Sequence, residues 1–340
     1  MSSVPHPKTY SAYGFTKKGG PLEPITFDWK DPQPGEIVVK VLACGVCASD
    51  EAAKHQGWPG VKYPIVPGHE IVGEVAAIPS TESKWKLGQV VGSGWHGGHC
   101  HLCATCRVGD YMMCEKQDVN GILRHGGYAQ YVTLRTEAAC AVPDGMDPAE
   151  VAPLFCAGVT MFNGLRNMSA RPPDYVAIQG IGGLGHLGIQ FAKAMGYRPI
   201  ALSSSSAKED LSRKLGAEVY VDGSKVDQAE ALQELGGTKL IMCTAPNADV
   251  IRTLLPGLAV GGELCIVALA GEAPINLGAL VTKRWSIRGW PNGVAPDSED
   301  CVKFAKVHGI RTMVQKFPLE KAEEAYNHRS TARFRAVIIP

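Results

Sequence analysis

Apolar and polar positions alternate in short runs through the first part of the chain. Glu36 to Leu42, Ile71 to Ile78, Gln89 to Gly92 and Tyr128 to Leu134 are such runs, with Pro, Gly, Asp and Ser turns between them. Asp31-Pro-Gln-Pro-Gly35 is a turn set just ahead of the first. Residues 1 to 156 therefore read as a β-rich domain. From about residue 157 the pattern changes. Strand-like runs at 175–179, 198–203, 218–221, 239–243, 262–268 and 284–289 alternate with segments of helical periodicity, which predicts a doubly wound parallel sheet over 157–290. After Trp290 come a Pro/Gly-containing stretch, an amphipathic helix near Ser298 to Val307, and a strand, Phe334 to Ile339, expected to return to the first domain. The predicted class is α/β, with domains at 1–156 plus 291–340 and at 157–290.

One stretch organises the second domain. In DYVAIQGIGGLGHLGIQFAKAMG, residues 174–196, an apolar strand runs straight into Gly180, Gly182, Gly183, Leu184 and Gly185, and Leu187, Phe191, Ala192 and Met195 then recur at helical spacing. Glycines between a strand and a helix suit a dinucleotide pyrophosphate. The first allows a tight turn, the second lets phosphate approach bare backbone, and the third lets helix and strand pack closely, while the helix N-terminus offers free amides. The next strand ends at Ser203, Ser204 and Ser205, followed by Ser206 and Lys208. NAD-specific folds place a carboxylate there for the ribose 2′-hydroxyl. Without one, and with hydroxyls and a lysine present, NADP(H) is favoured and NAD(H) remains the alternative.

Composition narrows the function classes. A chain of 340 residues is long for one core, and a formal net charge of +1 without a basic or acidic block argues against nucleic acid or an anionic membrane as partner. No run approaches a membrane span, and MSSVPHPKTYSAYGF lacks the apolar core of a secretory signal, so a cytoplasmic location is expected. The 11 cysteines are then expected to stay reduced, which favours metal ligation over disulfides for those that cluster. Cys100, Cys103, Cys106 and Cys114 follow a C-x2-C-x2-C-x7-C pattern. Four thiolates this close can surround a structural zinc and leave no open position; an iron–sulfur cluster is the less favoured alternative.

Two further pieces are Gly45-Val46-Cys47-Ala48-Ser49-Asp50 and Pro67-Gly68-His69-Glu70. Together with the quartet and with Pro153-Leu-Phe-Cys156-Ala-Gly-Val-Thr160 ahead of the glycine turn, they resemble the zinc-dependent alcohol dehydrogenases of the medium-chain dehydrogenase/reductase family, over nearly the whole chain and near the cinnamyl alcohol dehydrogenase branch. The resemblance implies a GroES-like catalytic domain beside a Rossmann domain, and two zinc ions per chain. It implies that Cys47, His69 and Cys156 hold the catalytic zinc. Two thiolates, an imidazole and an open position make a Lewis acid able to lower the pKa of an alcohol. Asp50 resembles the carboxylate that fixes the ligand histidine, and Glu70 an acid that exchanges onto the metal. Cys44, Cys140, Cys243, Cys265 and Cys301 match no ligand position and read as packing.

Ser49 matches the hydroxyl that takes the alcohol proton. Many relatives carry a histidine three residues later, where this chain has Ala52, and a basic residue directly after the ligand cysteine, where it has Ala48. His55, one helical turn on from Ala52, or a water chain is expected to take over the relay. Thr160 matches a contact to nicotinamide, Arg335 one to cofactor phosphate, and Trp58 and Trp95 regions lining the substrate cleft. The implied activity is reduction of aldehydes or oxidation of primary alcohols, aromatic or allylic, in a homo-oligomer of four or two chains. A polyol dehydrogenase, a reductase of conjugated C=C bonds and a non-catalytic nucleotide-binding protein are the alternatives. The retained Ser49 and Glu70 favour carbonyl chemistry.

Overall fold

The computed structural model describes residues 2–329 and 334–340. The chain divides into two compact units, Met1–Val159 with Asn292–Pro340, and Thr160–Pro291.

The first unit is built on a sheet in which Cys140–Ala141, Val90–Ser93, Glu70–Ile78, Glu36–Gly45, Arg335–Ile339 and Val314–Pro318 are successive neighbours. Tyr131–Arg135 adds to Glu36–Gly45, and Thr9–Phe15 forms a separate hairpin with Leu22–Asp28. The alternation read from the sequence buries Ile37, Val39 and Val41 against Ile71, Val75, Val132, Leu134 and Ile338. The terminal strand does return to this unit, pairing Val337 with Gly45 and Ile338 with Cys44 in antiparallel register. That pairing sets Arg335 beside the turn that carries Cys47. The helix expected near Ser298 spans Ala295–His308, closed by Gly309 at φ +65°.

The second unit is a parallel sheet of β1 (Tyr175–Gln179), β2 (Arg198–Ser203), β3 (Val219–Asp222), β4 (Thr238–Cys243), β5 (Leu258–Ile266) and β6 (Ser286–Gly289). Its order is β3-β2-β1-β4-β5-β6, all parallel, the dinucleotide-binding arrangement. The strands expected from apolar runs are these six. Helix α1 (Gly185–Ala194) follows β1 directly. Among the described residues no helix is long and apolar enough to cross a membrane.

Candidate active site

Cys47 closes the strand Glu36–Gly45 by way of a short turn and precedes the 3-10 helix Ala48–Asp50, while His69 and Glu70 sit at the start of Glu70–Ile78. Cys156 follows the 3-10 turn Ala152–Phe155. One donor atom from each of these four side chains lies within 4.8 Å of the others. Bare backbone makes this approach possible. A Cβ on Gly45 would stand 1.9 Å from Glu70 Oε2, and one on Gly92 would stand 1.9 Å from the Phe155 ring that precedes Cys156. Gly68 adopts φ +97°, and a side chain there would meet Tyr128 and Cys44.

The electrostatics are those of a site built for a cation. Cys47 and Cys156 Sγ atoms are 3.8 Å apart. Their shared hydrogen bond holds Cys47 well below the ordinary thiol range and pushes Cys156 up. His69 is fully buried, with Nδ1 3.0 Å from Asp50 Oδ1. Burial opposes its protonation, but the Asp50 carboxylate overrides it and raises the imidazole well above its usual pKa. Beyond that ion-pair contact, neither ring nitrogen has a hydrogen-bond partner among the described residues, Nε2 included. An orphaned imidazole nitrogen facing two thiols fits a metal ion, which would take the place of the proton. Burial raises Glu70 to about 8, against the pull of the Arg335 guanidinium that it contacts.

The quartet Cys100, Cys103, Cys106 and Cys114 also converges within 4.8 Å. Backbone amides aim at its sulfurs: Leu102 and Cys103 donate to Cys100 Sγ at 3.5 and 3.4 Å, and Cys100 and Lys116 to Cys114 Sγ, both at 3.3 Å. Such donors stabilise thiolates, so this loop fits zinc as well.

The remaining expected residues fall into three places. Trp95 meets the His69 ring edge-on at 5.1 Å between centroids and Trp58 at 5.4 Å, so both tryptophans join the metal cluster. Ser49 and His55 are exposed, and no hydrogen bond joins them among the described residues. Ala52 lies between them, half-buried. In the second unit, Gly180 has φ +82°, a Cβ on Gly185 would stand 1.8 Å from Gly180 O, and Gly182 faces open space. Gly183 and Leu184 complete the turn into α1. Lys208 Nζ donates to Ile181 O at 2.8 Å, which ties the residue after the serine run to that turn. Ser203 is half-buried at the end of β2, whereas Ser204 and Ser205 are exposed; Thr160 is buried.

Sequence reasoning missed Tyr128, whose hydroxyl donates to Asp50 Oδ2 at 2.9 Å. It also placed Arg335 with cofactor phosphate only, whereas its guanidinium packs on Glu70 inside the cluster. Nothing in local spacing marks either contact.

Comparison with known proteins agrees with this arrangement. Residues 33–144 match the alcohol dehydrogenase GroES-like domain and residues 183–307 the zinc-binding dehydrogenase domain. The chain is 47% identical over 334 residues to alcohol dehydrogenase patD of Penicillium expansum, covering 98% of each. It is 32% identical over 331 residues to the aldehyde reductase AdhA of a Synechocystis strain, covering 96% of this chain and 98% of that one. Among solved structures, a cinnamyl alcohol dehydrogenase from Sorghum bicolor superposes with a TM-score of 0.86 at 27% identity, covering 98% of each chain. These relatives favour alcohol and aldehyde chemistry over the polyol, C=C and non-catalytic alternatives. With two fitted metal-ligand sets, a dinucleotide-binding sheet and relatives matching nearly end to end, the chain belongs to the zinc-dependent alcohol dehydrogenases of the medium-chain dehydrogenase/reductase family.

Proposed function

We propose that this dehydrogenase binds a catalytic zinc through Cys47, His69 and Cys156 and a structural zinc through Cys100, Cys103, Cys106 and Cys114, and uses NADP(H) to interconvert a primary aromatic or allylic alcohol with its aldehyde. The observation that carries the reading is the buried convergence of the Cys47 and Cys156 sulfurs on His69, whose Nε2 has no hydrogen-bond partner among the described residues. Zinc held there supplies Lewis acidity, and the nicotinamide supplies hydride exchange.

The chain's own residues do the rest. Asp50 holds His69 with Nδ1 turned to the carboxylate and Nε2 turned away. Ser49, exposed beside Cys47, takes the substrate hydroxyl proton during oxidation and returns it during reduction, with His55 or water carrying it onward. Trp58 and Trp95 offer an aromatic wall that excludes water and suits a flat substrate. Glu70, which Arg335 contacts, would be a further carboxylate within reach of a metal held by Cys47, His69 and Cys156.

In the second unit the turn from Gly180 to Gly185 seats the pyrophosphate, Thr160 contacts the nicotinamide, and Ser203, Ser204, Ser205 and Lys208 take the 2′-phosphate. The Lys208 tie to the glycine turn supports this placement. Arg335, whose Nε has no hydrogen-bond partner among the described residues, is the contact proposed for cofactor phosphate. The working form is a cytoplasmic tetramer or dimer, a reading supported by exposed apolar side chains such as Leu269 and Val281.

The test is the initial rate of cinnamaldehyde reduction with NADPH and NADH in parallel, alongside a zinc count on the purified enzyme. Turnover with NADPH and two zinc ions per chain is expected. Preference for NADH would overturn the cofactor assignment, and no turnover with either would overturn the substrate class.

A further inference from the structure

We infer that Tyr128 is a positioning residue of the catalytic metal centre: its hydroxyl locks Asp50 in the orientation that fixes the ring and tautomer of His69. The inference rests on the reading of Cys47, His69 and Cys156 as zinc ligands. Tyr128, Asp50 and His69 are all fully buried. Asp50 Oδ2 accepts from Tyr128 Oη at 2.9 Å and from the Cys47 backbone N–H at 2.9 Å, which leaves Oδ1 facing His69 Nδ1 at 3.0 Å. A carboxylate with one donor can rotate about its Cβ–Cγ bond. Two donors converging on one oxygen stop that rotation, so the imidazole meets its partner at a fixed angle.

The tyrosine is itself held on the histidine's own segment. Its N–H donates to Pro67 O at 3.2 Å, and its ring fills the space where a Cβ on Gly68 would stand, 2.5 Å from Cδ1. The ring thus packs on the residue before His69 while the hydroxyl reaches the carboxylate behind it. Packing alone would be served by phenylalanine; the buried hydroxyl is retained with a partner, as buried phenols require.

The experiment is Tyr128→Phe, read by release of zinc to a coloured chelator and by the visible spectrum after cobalt replaces the catalytic zinc. Release of the catalytic ion about tenfold faster is expected, with the four-cysteine zinc leaving at the parent rate, a shifted cobalt spectrum, and a lower kcat at unchanged KM for the nicotinamide. Unchanged release and spectrum overturn the inference. In an Asp50→Asn background the same substitution should change release by less than about twofold, because its path runs through the carboxylate. A full tenfold effect there makes Tyr128 a packing residue only. Cys156→Ala separates the two readings: if it keeps both zinc ions, the ligand assignment fails, whereas one lost ion with an unaffected Tyr128→Phe sinks only the role of Tyr128.

Discussion

The ring of Phe155 lies on the bare backbone of Gly92, so close that an added Cβ would stand 1.9 Å from the ring tip. Gly94 repeats the arrangement against Phe155 O at 2.4 Å. Cys156 is the next residue, and its place in the metal cluster depends on that seat. Gly92→Ala is therefore expected to overpack the sheet at a cost of about 1 to 3 kcal/mol and to displace Cys156. Urea unfolding and zinc content check this together. A variant with parent stability and two bound zinc ions would show that the strand absorbs the methyl group.

Arg335 and Glu70 form a buried pair from strands 265 residues apart in sequence. Above pH 8, where Glu70 is ionised, removing one partner leaves the other charge uncompensated. At such a pH Arg335→Ala should lose about 3 to 5 kcal/mol, while the joint replacement Glu70→Gln with Arg335→Met should lose less. Chemical denaturation of both variants decides, and equal losses would mean that the pair acts through its packing.

His96 makes stability fall on acidification. Burial comes first among the causes that lower its pKa from 6.5 to about 3, and the neighbouring His99 and Arg135 add to it. The unfolded chain therefore binds the proton more readily than the folded one between those values. The contribution is fully present above pH 6.5 and shrinks as pH falls, by about 1.4 kcal/mol per unit, or about 2 kcal/mol by pH 5. His96→Gln should flatten the dependence in this window. Thermal unfolding of parent and variant at pH 7, 6 and 5 measures it, and parallel slopes would refute the assignment.

Lys208 lies at the end of the serine run and bonds back to the glycine turn. On the proposed assignment of Lys208 to the 2′-phosphate, Lys208→Ala should raise KM for NADPH about tenfold and leave KM for NADH near the parent value. A loss shared equally by both cofactors would assign the lysine to the turn's structure instead.

Much of this molecule was determined by the sequence alone. The apolar runs of the second unit marked all six parallel strands, because a buried parallel strand leaves an uninterrupted apolar signature. The glycines of the turn and the four clustered cysteines stood out because each pattern needs a residue type at a fixed local spacing, whereas Cys47, His69 and Cys156, far apart in the chain, were singled out only through the family resemblance. Tertiary structure alone decided what surrounds them. Tyr128 reaches Asp50 across 78 residues, and Arg335 meets Glu70 only because the terminal strand pairs Val337 with Gly45. The hairpin Thr9–Phe15 with Leu22–Asp28 and the docking of Phe155 on Gly92 were equally silent. Periodicity states which face of a strand is buried but not which strand lies beside it or in what register, and a buried hydroxyl or guanidinium finds its partner only once that register is set.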